Sequence, residues 1–325
     1  MNKLKASFLF FSLLTAASLC CKEVIVSEGI NLIDYKPFAF MTKAVSLKEK
    51  SNLKIESDLP QLDGALALYP VYSAFVMAVY PDKNYTRNES EVLCSNTRRA
   101  YDKLVNGDAD IIFVAPPSQE QLNDAKKAKV NFRFTPIGKE AFVFFVNSKN
   151  PVTSLTVEQI KNIYSGKITN WKEVGGKDED IQAFQRNANS GSQTAFVAFM
   201  KGTKIMTPPQ ENVQQMMGGI IAVASDYKNH GNSIGFSFRF FVNEMVKNRG
   251  IKMLKVNEIS PELETIADGT YPLAAEFYAL SLTSNNKPNV LKFLDWMQSK
   301  QGQYLVEKTG YSPLIKSNDN QGVKK

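Results

Sequence analysis

The chain has 325 residues, of which 39 are basic and 32 acidic, giving a formal net charge of +7. Hydrophobic residues at 43% and charged residues at 22% exclude a disordered tail and a membrane channel, and the length allows two domains of roughly 100–200 residues. One histidine, His230, and three cysteines, Cys20, Cys21 and Cys94, exclude a two-histidine site and a four-ligand zinc cluster. The basic residues never gather into a run, which argues against a nucleic-acid partner.

Lys3 and Lys5 precede an uncharged apolar stretch, residues 6–19, closed by Cys20-Cys21. A short positive region followed by roughly 7–15 apolar residues has the form of a secretory signal, too short to cross a bilayer that needs about 20. A cysteine at its end is similar to a bacterial lipoprotein signal. Residues 1–21 are therefore read as a signal peptide, with Cys20 or Cys21 as the lipidated residue and any membrane contact made through that anchor. Residues 22–60 are lysine-rich without a clear period and read as a tether and irregular lead-in. Residues 319–325 read as a polar tail.

From Asp63 onward, helix-like and strand-like segments alternate. Residues 70–80 read as a buried helix opened by Pro70 and stopped by Pro81. Residues 96–106 place Tyr101, Leu104 and Val105 on one helical face, and Gly107 ends that helix. Residues 109–115 and 141–146 are continuous apolar runs of the kind found in buried strands. Residues 155–164 read as a helix capped by Thr156, with Glu158 in the first turn. A helix starts at Gly191 and runs to about residue 200, and residues 290–308 form a long helical close. The alternation predicts an α/β fold with a mixed, mostly parallel sheet in each of two lobes. Asp178-Glu179-Asp180 reads as a solvated loop, Cys94 as a small packed side chain, and His230, in Lys228-Asn229-His230-Gly231-Asn232, as an exposed loop residue.

No phosphate loop ending in Lys-Ser/Thr and no dinucleotide fingerprint is present. No nucleophile has a base beside it, so neither an enzyme, a cofactor nor a metal is expected. The strongest local signal is Arg186-Asn187-Ala188-Asn189-Ser190-Gly191-Ser192-Gln193-Thr194, directly before an apolar helix. The first N–H groups of a helix lack internal partners, and its peptide dipoles leave that end partly positive. Ser190, Gly191 and Ser192 let a backbone approach an anion closely, and Arg186 adds a charged pair of donors. A capped Asn/Ser/Gly turn explains the same residues equally well. Two further segments share the build, residues 63–70 and residues 94–97, and the conjunction of three such junctions points to one anion held by several helix starts.

The run Asn147-Ser148-Lys149-Asn150-Pro151-Val152, followed by Ile163-Tyr164-Ser165-Gly166-Lys167-Ile168-Thr169-Asn170-Trp171-Lys172-Glu173-Val174-Gly175-Gly176, resembles the phosphate-binding proteins of bacterial phosphate ABC transporters. Residues 186–194 resemble that family's anion loop, with Ser192 in place of threonine, and Tyr271-Pro272-Leu273 and Gly310-Tyr311 are similar to its return segment and end. The resemblance spans about residues 62–315. It implies a two-lobed periplasmic-binding-protein fold of type II with a ligand cleft closed by hinge motion. Lobe one would comprise residues 61–142 and 277–318, and lobe two residues 143–276. It also implies anion contacts from Leu68 and Tyr69 by backbone, from Thr97, and from Arg186, Ser190, Gly191 and Ser192 across the cleft. Trp171, Gly175 and Gly176 match scaffold.

The implied function is a monomeric exported receptor that delivers phosphate or a similar oxyanion to an ABC permease. The alternatives are a receptor for another ligand and an envelope sensing or interaction protein on the same scaffold. Phosphate-specific members carry an aspartate where Ala115 stands, and a hydroxyl residue where Leu68 stands. Residues 114–117 contain no acid, so the ligand is open at this point.

Overall fold

The computed structural model describes residues 31–86, 89–226 and 230–314. The expected signal peptide, its cysteines and the polar tail lie outside these residues. Residues 31–60 hold no regular element beyond a 3₁₀ turn at Leu32–Tyr35, yet they are fastened down. Leu32 and Ile55 are buried in the core, Ile55 N donates to Val79 O at 3.0 Å, and Trp296 Nε1 donates to Asn52 Oδ1 at 2.8 Å.

Strand β1 (Leu62–Gly64) is wholly buried and leads into helix α1 (Tyr69–Val79), which carries Pro70 in its first turn. Only Met77 of α1 is not buried, so the helix is apolar on every side and runs through the core. Helix α2 (Thr97–Asn106) begins where Asn96 Oδ1 accepts from Arg99 N, and ends at Gly107, whose φ of 82° suits a left-handed cap. Strand β2 (Ile111–Val114) follows, all four residues buried. Helix α3 (Gln119–Lys127) starts with a capping box between Ser118 and Gln121.

Strand β3 (Phe132–Asn147) is 16 residues long, more than twice the apolar run 141–146 that announced it. Its first part carries Pro136 and Gly138, which break the pattern in the sequence. The register shifts opposite them, between Phe277 and Tyr278, and a bulge of this kind tolerates both residues. Next come β4 (Ser154–Leu155), α4 (Val157–Tyr164) with its Thr156 cap, β5 (Gln182–Ala183), β6 (Gln185–Arg186) and α5 (Gly191–Phe199). Then follow β7 (Val213–Gln214), α6 (Met217–Ser225), β8 (Ser233–Phe238), β9 (Ile251–Met253), β10 (Lys255–Val256), α7 (Leu263–Ala267) and β11 (Ala274–Leu282).

The main sheet runs β1-β2-β11-β3-β8-β5, with β9 also on β3. Strand β3 changes partner along its length. Residues up to Ala141 pair with β11, and from Phe142 onward the partner is β8. The sheet is mixed, but it is not mostly parallel as expected. Only β1–β2 and β5–β8 are parallel in it, whereas β2–β11, β11–β3, β3–β8 and β3–β9 are antiparallel. The cause is topological: β3 carries the chain out of the first half and β11 brings it back, so the two run in opposite directions side by side.

The long helical close is two helices, α8 (Pro288–Met297) and α9 (Lys300–Thr309). Ser299 caps the second, and Gly302 packs so tightly on the carbonyls of Trp296 and Met297 that no Cβ fits there. Asp178, Glu179 and Asp180 are exposed as expected, and Cys94 is buried. His230 departs from expectation. It is half-buried, edge-on to Phe184 at 5.6 Å between ring centroids, with Nδ1 at 2.9 Å from Gln182 Oε1, because β5 and the residue after it flank the ring.

Candidate ligand cleft

Three helix starts approach one another between the two halves of the sheet. The first is set by Asp63, fully buried at the end of β1. Its carboxylate accepts from Gly64 N (2.7 Å), Ser95 N (2.8 Å), Ser95 Oγ (2.6 Å) and Lys103 Nζ (2.9 Å). One side chain thus locks the loop before α1 to the loop before α2. Gly64 lies against the Phe113 carbonyl, where a Cβ would stand 2.7 Å from that oxygen. Sequence reasoning missed Asp63 as a positioning residue; an acid between apolar Leu62 and Gly64 in a buried strand was its signal.

Across the cleft, Ser190 caps α5 by accepting from Gln193 N at 3.3 Å. Gln193 Oε1 in turn accepts from Arg186 N at 2.8 Å, and Gln193 Nε2 donates to Gln185 Oε1 at 3.1 Å. Arg186 is buried, and its Nε and one terminal nitrogen donate to the carbonyls of Gln214 (3.0 Å) and Gln215 (3.2 Å). The other terminal nitrogen lies 3.4 Å from Ser192 Oγ. No carboxylate stands among these partners, and burial lowers the guanidinium to about 10. A buried cation without a counter-charge is costly to hold.

The two halves touch. A Cβ built on Gly191 would stand 3.0 Å from Thr97 Oγ1, Ser118 Oγ donates to Asn189 Oδ1 at 3.0 Å, and Asn189 Nδ2 donates to Glu120 Oε2 at 2.5 Å. Between them lies a cavity of about 300 Å³. Leu68, Thr97 and Gly191 of the expected set line it, as does Ala115. Tyr69, Arg186, Ser190 and Ser192 are not in its wall. Tyr69 is buried at the head of α1, edge-on to Tyr72; Ser190 is the partly exposed cap; Ser192 is buried against Arg186.

The acid absent from residues 114–117 has a neighbour in space. Glu140 on β3 reaches the same cavity and accepts from Ala141 N at 2.7 Å and Phe240 N at 3.2 Å. Desolvation raises its carboxyl to about 7, against the pull of those two N–H groups and of Arg239. A single acid opening the apolar run 141–146 was the legible sign of it. Trp171 is scaffold, fully buried, its Nε1 donating to Asn232 O at 2.7 Å while Gly176 packs on its Cβ. Among the described residues no group of histidine, cysteine and carboxylate side chains suits a metal ion, and no helix is long and apolar enough to cross a membrane.

A mixed sheet split along β3, with helix starts facing a cavity at the split, defines an α/β fold of the periplasmic-binding-protein kind. The family model described as "PBP superfamily domain" matches residues 61–301, and the chain belongs to that superfamily; its homologues are substrate-binding proteins, not enzymes. Among relatives, the phosphate-binding protein PstS of Borreliella burgdorferi is 27% identical over 230 residues, covering 67% of this chain and 80% of its own. PstS of Bacillus subtilis is 29% identical over 201 residues, covering 61% of this chain and 62% of its own. Among solved structures, a phosphate ABC transporter substrate-binding protein from Clostridium perfringens, with bound phosphate, superposes at a TM-score of 0.61. It is 22% identical and covers 81% of this chain and 100% of its own.

Proposed function

We propose that this protein is an exported receptor that captures phosphate or a similar oxyanion between two lobes and presents it to an ABC permease. The observation that carries the reading is the meeting of the starts of α2 and α5 at one cavity, Thr97 against Gly191, with Arg186 behind them, a buried charge that pairs with no carboxylate among the described residues. Unpartnered N–H groups and helix dipoles favour an anion at such a place. The phosphate-binding names of relatives at 27% and 29% identity support the ligand class. On this reading the lobes are residues 61–142 with 277–318, and residues 143–276. Leu68 and Tyr69 contribute by backbone, Thr97, Ser190, Gly191 and Ser192 at the helix starts, and Arg186 by charge through Ser192. The apolar segment 6–19 and Cys20-Cys21 support export and a lipid anchor.

Titration calorimetry of the chain from residue 22 onward with inorganic phosphate tests the binding half. Micromolar or tighter affinity is the expected result, about 8 kcal/mol, and no heat at millimolar phosphate overturns it. Intact mass of the protein from its native cell tests the rest. Retention of residues 1–19 ends the export reading, and an unmodified cysteine ends only the anchor.

A further inference from the structure

The cleft cavity is larger and more apolar than an inorganic oxyanion requires. Its volume of about 300 Å³ reaches the range of roughly 300–1,000 Å³ typical of sites for small organic ligands. Most of its wall is hydrocarbon, drawn from both halves of the sheet, including Leu68, Phe142, Phe199, Phe238, Leu273 and Phe277. Such walls offer no donor, so a bare oxyanion pressed against them would lose its hydration with nothing in return. Helix starts meet the cavity on one side, where Thr97 opens α2 and Gly191 opens α5 with Thr194 beside it. The cavity is therefore two-natured: a polar end at the helix starts and an apolar body beside it.

Glu140 sharpens the reading. It is 8% exposed, lines the cavity, and holds both carboxyl oxygens on backbone N–H groups. Arg239, Glu244 and Tyr311 are the charged or titratable groups acting on it. A second anionic group at that end of a ligand would meet a carboxyl there, whereas a neutral hydrocarbon group would meet aromatic rings. Ligand sites of this size commonly pair an apolar lining with a few placed polar groups.

We propose that the cleft takes a monosubstituted phosphorus oxyanion, an organic phosphonate or a phosphate monoester. Its anionic head lies at the starts of α2 and α5 and its hydrocarbon group among Phe142, Phe199 and Phe238. This rests on the anion-receptor reading above and names the ligand class of that same site.

The test is calorimetry with three probes on the same preparation: inorganic phosphate, phenylphosphonate and phenyl phosphate. At least one phenyl compound is expected to bind about tenfold tighter than phosphate or better, and the tighter of the two names the source. Ala195 also lines the cavity, and Ala195→Leu is expected to shrink the ratio of phenyl to phosphate affinity several-fold. Because the ratio is taken within one variant, partial loss of folded protein does not change it. Phosphate binding with phenyl compounds equal or weaker overturns this inference and leaves the receptor reading standing. Phenyl compounds binding without phosphate supports the inference and removes phosphate as the ligand. Binding by none of the three overturns both.

Discussion

Gly191 and Thr97, 94 residues apart in the chain, meet so closely that a Cβ on the glycine would stand 3.0 Å from the threonine Oγ1. The first turn of α5 thus rests on the first turn of α2, and the cleft is shut at that point by the absence of a side chain. The predicted consequence is that Gly191→Ala props the cleft open. Overpacking of this kind costs about 1–3 kcal/mol, so phosphate affinity should fall roughly fivefold at the lower end of that range. Small-angle scattering with saturating phosphate should show a less compact particle than the parent. In a Thr97→Ala background the same substitution should cost less compaction, since the clashing atom is gone. Equal compaction of parent and Gly191→Ala would show that the two helix starts do not govern closure.

Arg186 carries a second prediction, one that its backbone partners dictate. Its donors hold the carbonyls of Gln214 and Gln215, which join β7 to α6. Removing them withdraws two charged donors from part-buried carbonyls, at roughly 0.5–1.5 kcal/mol for each hydrogen bond lost. Arg186→Ala should therefore lower stability in denaturant unfolding without any ligand present. Arg186→Lys should do nearly the same while keeping more of the anion affinity, because one ammonium retains the charge but lacks the planar fork. Full stability of the ligand-free lysine variant would mean that the guanidinium serves the ligand alone.

Much of this arrangement was legible in the sequence where local chemistry decides it. Pro70, Asn96, Gly107, Thr156 and Ser190 mark helix ends that the structure reproduces, since capping depends on a few adjacent residues. The apolar strand Ile111–Val114 was visible within the run 109–115 because all four of its residues are buried. What stayed hidden depends on partners distant in the chain. The first half of β3 reads as no strand, because Pro136 and Gly138 are tolerated only by the bulge against β11. The antiparallel order follows from the return of β11 from residue 274, which no local pattern states. At the site, Leu68, Thr97 and Gly191 were readable as loop-to-helix residues. Asp63 and Glu140 stood out only as lone acids beside apolar runs, and their roles were not readable, since these rest on N–H groups of Ser95 and Phe240 brought in by the fold.

Residues 31–60 look expendable in sequence but not in structure. Ile55 is 3% exposed and its N–H closes on Val79 O at the end of α1. Truncating a buried isoleucine to alanine costs about 2–5 kcal/mol. Ile55→Ala should lower the melting temperature, and a chain beginning at residue 61 should be less stable still. An unchanged melting temperature for the truncated chain would assign this segment to tethering alone.

Glu140 makes stability depend on pH in a stated direction. Its carboxyl rises from an ordinary value of 4.5 to about 7, chiefly because burial penalises the charged form. Between those two values the folded chain keeps a proton that the unfolded chain has released, so folded protein binds more protons and stability falls as pH rises. Below the ordinary value both states are protonated and the group is neutral in effect; above about 7 the loss is complete. At about 1.4 kcal/mol per unit, the ceiling is about 3 kcal/mol. The Tyr311 hydroxyl, pushed up by burial, does not titrate in this window. Asp178 and Glu91 are held below their ordinary range by lysine partners and act in the opposite sense, so the contribution of Glu140 has to be read as a difference. Urea unfolding of the parent and of Glu140→Gln at pH 5, 6, 7 and 8 isolates it. The variant should gain on the parent steadily up to about pH 7 and hold that gain at pH 8. A constant difference from pH 5 to 8 would return the carboxyl to the ordinary range and with it the cavity floor to plain polarity.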